Sequence, residues 1–278
     1  MHYLKKIVSN ITEGKYIKMD LLESEGFIDF IILIEANYTH SGIKREYVFK
    51  DLIKSNYFTP NELKRIKYIK IDIEKEVFFN TIKFKQLHHN ERVIRGKFVD
   101  YLNFDSSDII FSLDADEVLY KNTYKILIEK VNKKNSAFQL KLVNFIYRPD
   151  YLWHNSNFIA PTVCRFDFYK SIKMKFYSRF KKYKQWRYHG KNLDFISGVH
   201  FNWHLTPEEI LLKLNNYAHR DEFLHIRSSS NIQRCINKKE LFWDLSLKNE
   251  ISIDSSFDLL PKSYKNLENE FEHLMKNQ

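Results

Sequence analysis

The sequence predicts an α/β fold in which a mainly parallel central sheet is covered by helices. Three observations indicate this class. Strand patterns alternate with helix patterns along the chain, in the order β-α-β-α-β-α-β. The first strand pattern, at residues 27–35, is almost continuously apolar, as is typical of parallel strands buried on both faces. With 278 residues, 44% of them hydrophobic, the chain is long enough to bury a sizeable core.

The elements after this strand follow from local patterns. Thr59-Pro-Asn-Glu62 combines an N-cap, a proline at the first helical position and a capping-box glutamate, so a helix is predicted to begin there. Residues 68–73 alternate apolar and polar side chains and predict a second strand. Residues 86–104 place apolar side chains on one helical face and predict the next helix.

The second half of the chain repeats the alternation. Residues 109–113 form an apolar strand pattern, 117–133 are predicted to be helical, and 138–147 are strand-like again. Thr206-Pro-Glu-Glu209 is a second capped helix start.

These patterns predict a single domain over residues 1–250. Residues 251–278 are more polar and are predicted to form a C-terminal tail that consists of a loop and a helix.

Composition excludes several classes of protein. The six glycines form neither a Walker A nor a Gly-x-Gly-x-x-Gly sequence. Cys164 and Cys235 are too few for a disulfide framework or a cysteine-based zinc site. Residues 1–16 lack the apolar core of a signal peptide, and the longest apolar run, 27–34, is too short for a membrane span. We therefore expect a cytoplasmic protein that contacts a membrane only peripherally.

The charge favours an anionic partner. The formal net charge is +10 and the isoelectric point is about 9.3. Nucleic acid, an anionic membrane face and a phosphorylated substrate all fit. Residues 173–187 interleave basic and aromatic side chains. This pattern fits a single-stranded nucleic-acid platform, a basic flap beside an acceptor site, or a patch on an anionic membrane.

The most informative feature is the acidic end of the third strand pattern. Residues 109–113 are followed by three carboxylates, Asp114, Asp116 and Glu117. In open α/β sheets, ligands bind beyond the carboxyl ends of the strands, where paired carboxylates can hold a hard divalent cation against a diphosphate. The alternative is a solvated turn. Because a nucleic-acid platform would leave these carboxylates unexplained, we favour an enzyme of sugar-nucleotide transfer and expect no nucleic-acid partner.

Other polar groups have two interpretations each. Residues 35–42 follow the first strand with turn-forming side chains. They could bind the base or ribose of a nucleotide, or they could form an ordinary turn between strand and helix. Arg95 lies four residues after Glu91, a spacing that allows a surface ion pair between them. The alternative is that the two-pronged guanidinium group of Arg95 binds a diphosphate.

The region that precedes the second capped helix carries two histidines. If residues 197–204 form a strand, His200 and His204 share one face and Trp203 takes the other. His200 is then a candidate third metal ligand, with a structural histidine as the alternative. Glu208, in the first helical turn, is a candidate general base because the helix dipole keeps it deprotonated; helix capping is the alternative.

Four blocks together resemble glycosyltransferase family 17, which includes the bisecting β-1,4-mannosyl-glycoprotein N-acetylglucosaminyltransferase and bacterial and viral relatives. The blocks are D-F-I-I-L-I-E-A-N-Y-T-H-S-G at 29–42, N-E-R-V-I-R-G at 90–96, I-I-F-S-L-D-A-D-E at 109–117 and S-G-V-H-F-N-W-H-L-T-P-E-E-I-L-L-K-L at 197–214. The resemblance covers roughly residues 20–245. It implies a GT-A-type nucleotide-sugar-binding domain, an inverting transfer and a UDP-sugar donor, with UDP-N-acetylglucosamine as the first candidate.

The resemblance also assigns residues to the donor. Those it places near the nucleotide are Glu35, Asn37, Thr39, His40 and Gly42. A Mn²⁺ or Mg²⁺ ion would be held by Asp116, with Asp114 and His200 as further candidate ligands; Asp114 also suits the ribose. Arg95 and Lys213 would add positive charge beside the diphosphate.

The transfer step needs a base and an acceptor. Glu208 is the first candidate for the base and Asp194 is the reserve. The acceptor stays open among a glycan, a lipid-linked saccharide and a protein side chain. A retaining transferase or a nucleotidyltransferase on a similar sheet is the alternative among enzymes.

Overall fold

The computed structural model describes residues 1–9, 11–73, 84–134, 136–154, 159–171, 190–216, 228–247 and 249–275. Within these ranges the strands are β1 (His2–Ile7), β2 (Phe30–Ala36), β3 (Ile66–Ile71), β4 (Ile109–Asp114), β5 (Glu117–Leu119), β6 (Phe138–Ile146), β7 (Tyr151–Trp153), β8 (Ile159–Arg165), β9 (Lys191–Asn202) and β10 (Ile251–Ile253). The α-helices are α1 (Gly14–Glu23), α2 (Phe49–Lys54), α3 (Pro60–Arg65), α4 (Phe84–Gly96), α5 (Lys121–Lys134), α6 (Phe166–Ser171), α7 (Pro207–Asn216), α8 (Ser229–Lys238) and α9 (Glu272–Met275). A 3₁₀ segment, Lys262–Phe271, precedes α9.

These strands form one sheet, and its centre confirms the predicted α/β class. The order β3-β2-β1-β4 is parallel throughout. Beyond β4 the sheet continues with β8, β6, β7 and β10 in antiparallel pairs, and β9 joins β6 in parallel. The antiparallel half was not predicted, because strand patterns reveal burial and not direction. The strand order reverses at β1, so a crevice opens between the carboxyl ends of β1 and β4.

The central strands are buried on both faces. Along β2, Ile31 and Leu33 belong to one core cluster, and Ile32 and Ile34 belong to the cluster on the opposite face. Successive side chains of a strand point to opposite faces, so both faces of the sheet must be covered. The near-continuous apolar pattern at 27–35 therefore gave the correct class, although β2 begins only at Phe30.

Both predicted helix caps are confirmed. Thr59 N donates to Glu62 Oε2 (2.7 Å) and Glu62 N donates to Thr59 Oγ1 (3.3 Å) at the start of α3. The same reciprocal pair joins Thr206 and Glu209 before α7, at 2.8 and 3.3 Å. The first backbone N–H groups of a helix have no acceptor within the helix, and these side chains supply one. Because both partners lie within four residues of each other, the motif can be recognised from the sequence alone.

Residues 117–119 were predicted as the first turn of a helix, and this prediction was wrong. They form β5, which pairs antiparallel with β9, and α5 begins only at Lys121. The short strand has no helix-incompatible sequence signal of its own. Its backbone is instead held by a partner strand about 80 residues further along the chain.

The region predicted as a tail is integrated into the fold. Strand β10 pairs antiparallel with β7 at the edge of the sheet. In the segment that follows, the side chains of Tyr264, Phe271 and Leu274 are buried in one cluster with Tyr16 of α1. The segment therefore contributes to the core, beyond the loop and helix that the sequence predicts.

Two predictions concerned nucleic-acid or membrane contact by a basic stretch and the absence of a membrane span. The basic and aromatic stretch at 173–187 lies outside the described residues. Among the helices that the structure does describe, none combines the length and the apolar character that crossing a membrane requires.

Lys15→Met is expected to remove part of the pH dependence of stability. Lys15 is buried on α1, with Nζ 4.8 Å from the ring centroid of Phe271, and burial lowers its pKa to about 8. The unfolded chain, with an ordinary lysine pKa near 10.5, binds more protons between these values, so the free energy of unfolding rises with pH across that window. The full rise is about 3 kcal/mol.

The measurement is urea unfolding of both proteins at about pH 7.5 and about pH 10. The difference in unfolding free energy between wild type and Lys15→Met should change by about 2 kcal/mol between the two conditions. A difference that stays constant with pH would contradict the burial of this amine against Phe271.

Candidate active site

The acidic motif lies at the reversal point of the sheet. Asp114 ends β4 and is the register partner of Ile7, which ends β1. The next residue, Ala115, donates its backbone N–H to the Ile7 carbonyl at 3.2 Å. The motif is therefore fixed beside the crevice between β1 and β4, where open α/β sheets bind ligands.

Glu117 holds the turn together from inside. Its side chain is fully buried, and its Oε2 accepts the backbone N–H of Asp114 at 2.7 Å. Its backbone pairs with His200 across β5 and β9. Glu117 therefore shapes the turn that presents Asp116, and it links that turn to the strand that carries His200.

Asp114 is bound by a buried arginine. Arg95 Nη2 donates to Asp114 Oδ2 at 2.8 Å, Arg95 Nη1 donates to the other carboxylate oxygen, and Arg95 Nε donates to Glu91 at 3.0 Å. The ion pair predicted between Glu91 and Arg95 is thus present, but Arg95 is buried rather than on the surface. Because the guanidinium fork is used on Asp114, it orients that carboxylate in the structure.

Asp116 joins residues from the last sequence block. Its Oδ1 lies 3.7 Å from His200 Nε2, and its Oδ2 lies 3.4 Å from Lys213 Nζ. His200 Nδ1 lies 2.6 Å from Oδ1 of Asn144, an oxygen that only accepts hydrogen bonds, so Nδ1 donates to it and Nε2 faces Asp116. A histidine oriented in this way is suited to metal ligation.

These distances define what the site can offer a cation. Among the residues that the structure describes, no three histidine, cysteine or carboxylate side chains are close enough to bind one ion together. The predicted set of Asp114, Asp116 and His200 is therefore not assembled as a cage, because Asp114 is turned to Arg95. Asp116 and His200 together still fit Mn²⁺ or Mg²⁺, since such ions commonly keep waters and take further ligands from substrate phosphates.

Glu35 has a structural position. Its side chain is fully buried and accepts the backbone N–H groups of Val48 (2.9 Å) and Phe49 (3.1 Å) at the start of α2. The hydroxyl of Tyr68 donates to the same carboxylate. The structure thus uses Glu35 as a cap for α2, a role that the sequence did not indicate.

The loop after β2 forms a compact turn. Asn37 Oδ1 accepts the backbone N–H of Ile73 at 2.9 Å, which ties the loop to the end of β3. Thr39 Oγ1 accepts the backbone N–H of Ile43 at 3.1 Å. Gly42 has φ of +79°, a conformation that residues with a Cβ rarely adopt. Asn37, Thr39 and Gly42 thus hold the shape of a loop beside the crevice.

His40 brings this loop next to Arg95 and its two carboxylate partners, Glu91 and Asp114. Its backbone carbonyl accepts Asn90 Nδ2 of α4 at 2.8 Å. Burial lowers the pKa of the imidazole to about 4, and the nearby charges that act on it include Glu91, Arg95 and Asp114. His40 is therefore neutral at physiological pH. The first three sequence blocks meet at this point.

Both candidate bases are exposed. Glu208 is exposed at the start of α7, and Glu209 forms the cap, so capping does not explain Glu208. Asp194 is exposed on β9, six residues before His200, which corresponds to roughly 20 Å along a strand. This separation removes Asp194 from the centre formed by Asp116 and His200.

Three charged groups at the site, Lys6, Asp20 and Arg45, were missed by sequence reasoning. Lys6 and Asp20 form an ion pair beneath the acidic turn. Arg45 donates to the carbonyls of Ser9 (2.7 Å) and Ala36 (2.9 Å) at the ends of β1 and β2. Strand β1 itself was not predicted, and its paired lysines interrupt the apolar pattern that would have revealed it.

The predicted strand at 197–204 is only partly correct. Strand β9 ends at Asn202, and Trp203 has a left-handed backbone with φ of +56°. His204 is nevertheless buried, and its ring packs edge-on against Phe201. Trp203 instead lies under the ammonium group of Lys213, 4.9 Å from the ring centroid.

One of the comparisons with known proteins identifies a family. The sequence model described as glycosyltransferase family 17 matches residues 6–264. No curated protein matches the chain. An active-site mutant of LgtC has a similar solved structure, with 12% identity over 62% of this chain and 60% of that chain and a TM-score of 0.34. The 4-diphosphocytidyl-2C-methyl-D-erythritol synthase of Anaerococcus prevotii shares 12% identity over 79% of this chain and 94% of its own, with a TM-score of 0.35.

Proposed function

The chain belongs to glycosyltransferase family 17, and from this premise we propose that it is a metal-dependent, inverting glycosyltransferase that uses a UDP-sugar donor. We further propose N-acetylglucosamine as the transferred sugar and a hydroxyl of a glycan or lipid-linked saccharide as the acceptor. One observation supports this most directly. Asp116 and His200, from two separate sequence blocks, converge within 3.7 Å at the reversal point of the sheet.

Asp116 and His200 would hold Mn²⁺ or Mg²⁺. Bound there, the ion would supply Lewis-acid stabilisation of the charge on the departing UDP. Lys213 lies 3.4 Å from Asp116 and would place a second positive charge beside the diphosphate. Arg95 would act indirectly, by fixing Asp114 at the wall of the crevice.

The loop of Asn37, Thr39, His40 and Gly42 would border the nucleoside. It joins the carboxyl end of β2 to α4, the helix that carries Arg95. A nucleotide bound in the crevice would therefore lie beside this loop. A neutral His40 offers one ring donor and one ring acceptor, which suits a ribose hydroxyl. The net charge of +10 supports binding of an anionic donor and peripheral contact with an anionic membrane that presents a lipid-linked acceptor.

The transfer itself is a single displacement at the anomeric carbon. The acceptor oxygen forms the new glycosidic bond as the bond from the anomeric carbon to the diphosphate oxygen breaks, and that electron pair leaves with UDP. We assign the acceptor proton to Glu208. Its carboxylate is exposed to an incoming acceptor, and it lies on α7, the helix that also carries Lys213. The two side chains leave α7 about 140° apart, so this assignment requires the acceptor to bind on the side of the helix that carries Glu208.

Glu208→Gln is expected to lower kcat by at least about 100-fold, because the amide cannot take the acceptor proton. Affinity for UDP in the presence of Mn²⁺ should stay unchanged. The measurement is initial-rate kinetics with calorimetry of UDP binding. Glu209→Gln is the matched control, since glutamine preserves the capping box and the residue has no proposed role in transfer. Near-normal turnover in Glu208→Gln would remove the base assignment alone.

The proposed function is tested by a donor screen. UDP-, GDP- and CMP-sugars are compared for metal-dependent thermal stabilisation, because a ligand that binds only the folded state raises the melting temperature. We expect UDP-N-acetylglucosamine with Mn²⁺ to give the largest shift. The anomeric configuration of the product, read by NMR, distinguishes inversion from retention. Stabilisation by none of these donors, with or without metal, would contradict the proposal.

A further inference from the structure

A buried lysine lies directly beneath the acidic turn. Lys6 is in β1, and its side chain is fully buried. Its Nζ lies 2.8 Å from Asp20 Oδ2, on α1, and this carboxylate is fully buried as well. The same ammonium donates to the backbone carbonyls of Asp114, at 3.2 Å, and Glu117.

These contacts fix both ends of the turn that carries Asp116. The ammonium of Lys6 donates to two carbonyls and lies 2.8 Å from one carboxylate oxygen. The turn has other anchors as well. Ala115 N donates to Ile7 O, Asp116 O accepts from Phe201 N at 2.8 Å, and Glu117 Oε2 accepts from Asp114 N at 2.7 Å. Removing Lys6 would take away the donor that the carbonyls of Asp114 and Glu117 share.

We propose that Lys6, with Asp20 as its counter-ion, is a positioning residue that sets the location of Asp116 in the active site. The inference rests on the proposed function, in which Asp116 holds the metal. Lys6 does not touch the donor. It acts through the backbone of the turn, in the way that groups behind a metal ligand orient that ligand.

The alternative is that the pair only stabilises the fold. A buried ion pair is an inefficient source of stability, because the cost of desolvating both charges offsets their attraction, and an apolar pair of similar volume is often equally stable. Such a replacement keeps the packing but removes the donors to the two carbonyls. The two explanations therefore make different predictions for one double variant.

The experiment compares K6M with the double variant K6M/D20L. K6M alone leaves Asp20 buried and unpaired, so its melting temperature should fall by roughly 10 °C. The double variant should melt within about 4 °C of wild type. Despite this recovery, its affinity for UDP in the presence of Mn²⁺ should fall by about 10-fold or more. Amide hydrogen exchange at Asp114 and Ala115 should become about 10-fold faster or more.

A second buried ion pair provides the matched control. Arg148 and Asp150 are both buried, and two hydrogen bonds of 2.9 Å join them away from the acidic turn. R148M/D150L should leave UDP affinity and the exchange of the turn amides unchanged, whatever its effect on melting temperature.

Three results decide the role of Lys6. Recovered stability with weakened UDP binding and faster exchange in K6M/D20L supports it. Wild-type exchange and wild-type UDP affinity in that variant would overturn it. If the wild-type protein itself shows no Mn²⁺-dependent UDP binding, the proposed function fails, and the exchange of the Asp114 and Ala115 amides then decides the role of Lys6.

Discussion

Asp116→Asn is expected to lower the rate of metal-dependent sugar transfer by at least about 1000-fold. The amide has nearly the same shape as the carboxylate, and the Asp116 side chain is 15% exposed, so the fold should be retained. What is lost is the negative charge that faces both His200 and Lys213. Without it a divalent cation would lose the anionic one of its two proposed ligands and keep only His200, beside the positive charge of Lys213. The measurements are transfer rate and calorimetry of UDP binding with and without Mn²⁺.

The control for this variant is Asp258→Asn, which removes a carboxylate from an exposed position in the C-terminal region. It should match wild type in rate and in UDP affinity. Asp116→Asn should still bind UDP weakly through Lys213, but Mn²⁺ should no longer strengthen that binding. Unchanged metal-dependent binding with normal transfer in Asp116→Asn would contradict the whole proposed centre.

Gly198→Ala is expected to destabilise the protein by about 3 kcal/mol, because it forces β5 and β9 apart. A Cβ at Gly198 would lie 2.2 Å from the carbonyl oxygen of Val118 and 2.7 Å from Cα of Leu119. Both contacts are with backbone, which cannot rotate away as a side chain can. Since β5 and β9 also pair Glu117 with His200, the same change should disturb the site.

Urea unfolding gives the stability of Gly198→Ala, and calorimetry gives its affinity for UDP with Mn²⁺. Gly26→Ala is the matched control: Gly26 has φ of +82°, but a Cβ there would meet no atom within 4 Å. It should cost only the backbone strain, about 1 kcal/mol, and leave UDP binding unchanged. If Gly198→Ala were as stable as wild type, the close approach of β5 to β9 would be contradicted.

Features governed by neighbouring residues were predicted well from the sequence. The two capping boxes at Thr59 and Thr206 form as their Thr-x-x-Glu motifs predict. The strand predicted at 138–147 corresponds closely to β6. The capping boxes depend on contacts three residues apart, and the apolar pattern of β6 marks a buried strand whatever its partners, so the local sequence was sufficient for both.

Features governed by distant partners were predicted poorly. Strand β5 is a strand only because β9 supplies its hydrogen bonds. Lys6 is tolerated in a buried strand only because Asp20 and two carbonyls surround it. Arg95 faces a carboxylate 19 residues away, where its sequence spacing indicated only Glu91.

The sequence by itself determined the α/β class, the family, and the residue types that gather at the crevice between β1 and β4. The tertiary structure decided how those residues divide their roles. It places Asp116 with His200 and Lys213, turns Asp114 to Arg95, and withdraws Glu35 and Glu117 into backbone contacts. The physical reason is that a carboxylate takes its role from the charges and donors within a few ångströms of it. In this fold those groups come from strands and helices as far as 97 residues apart.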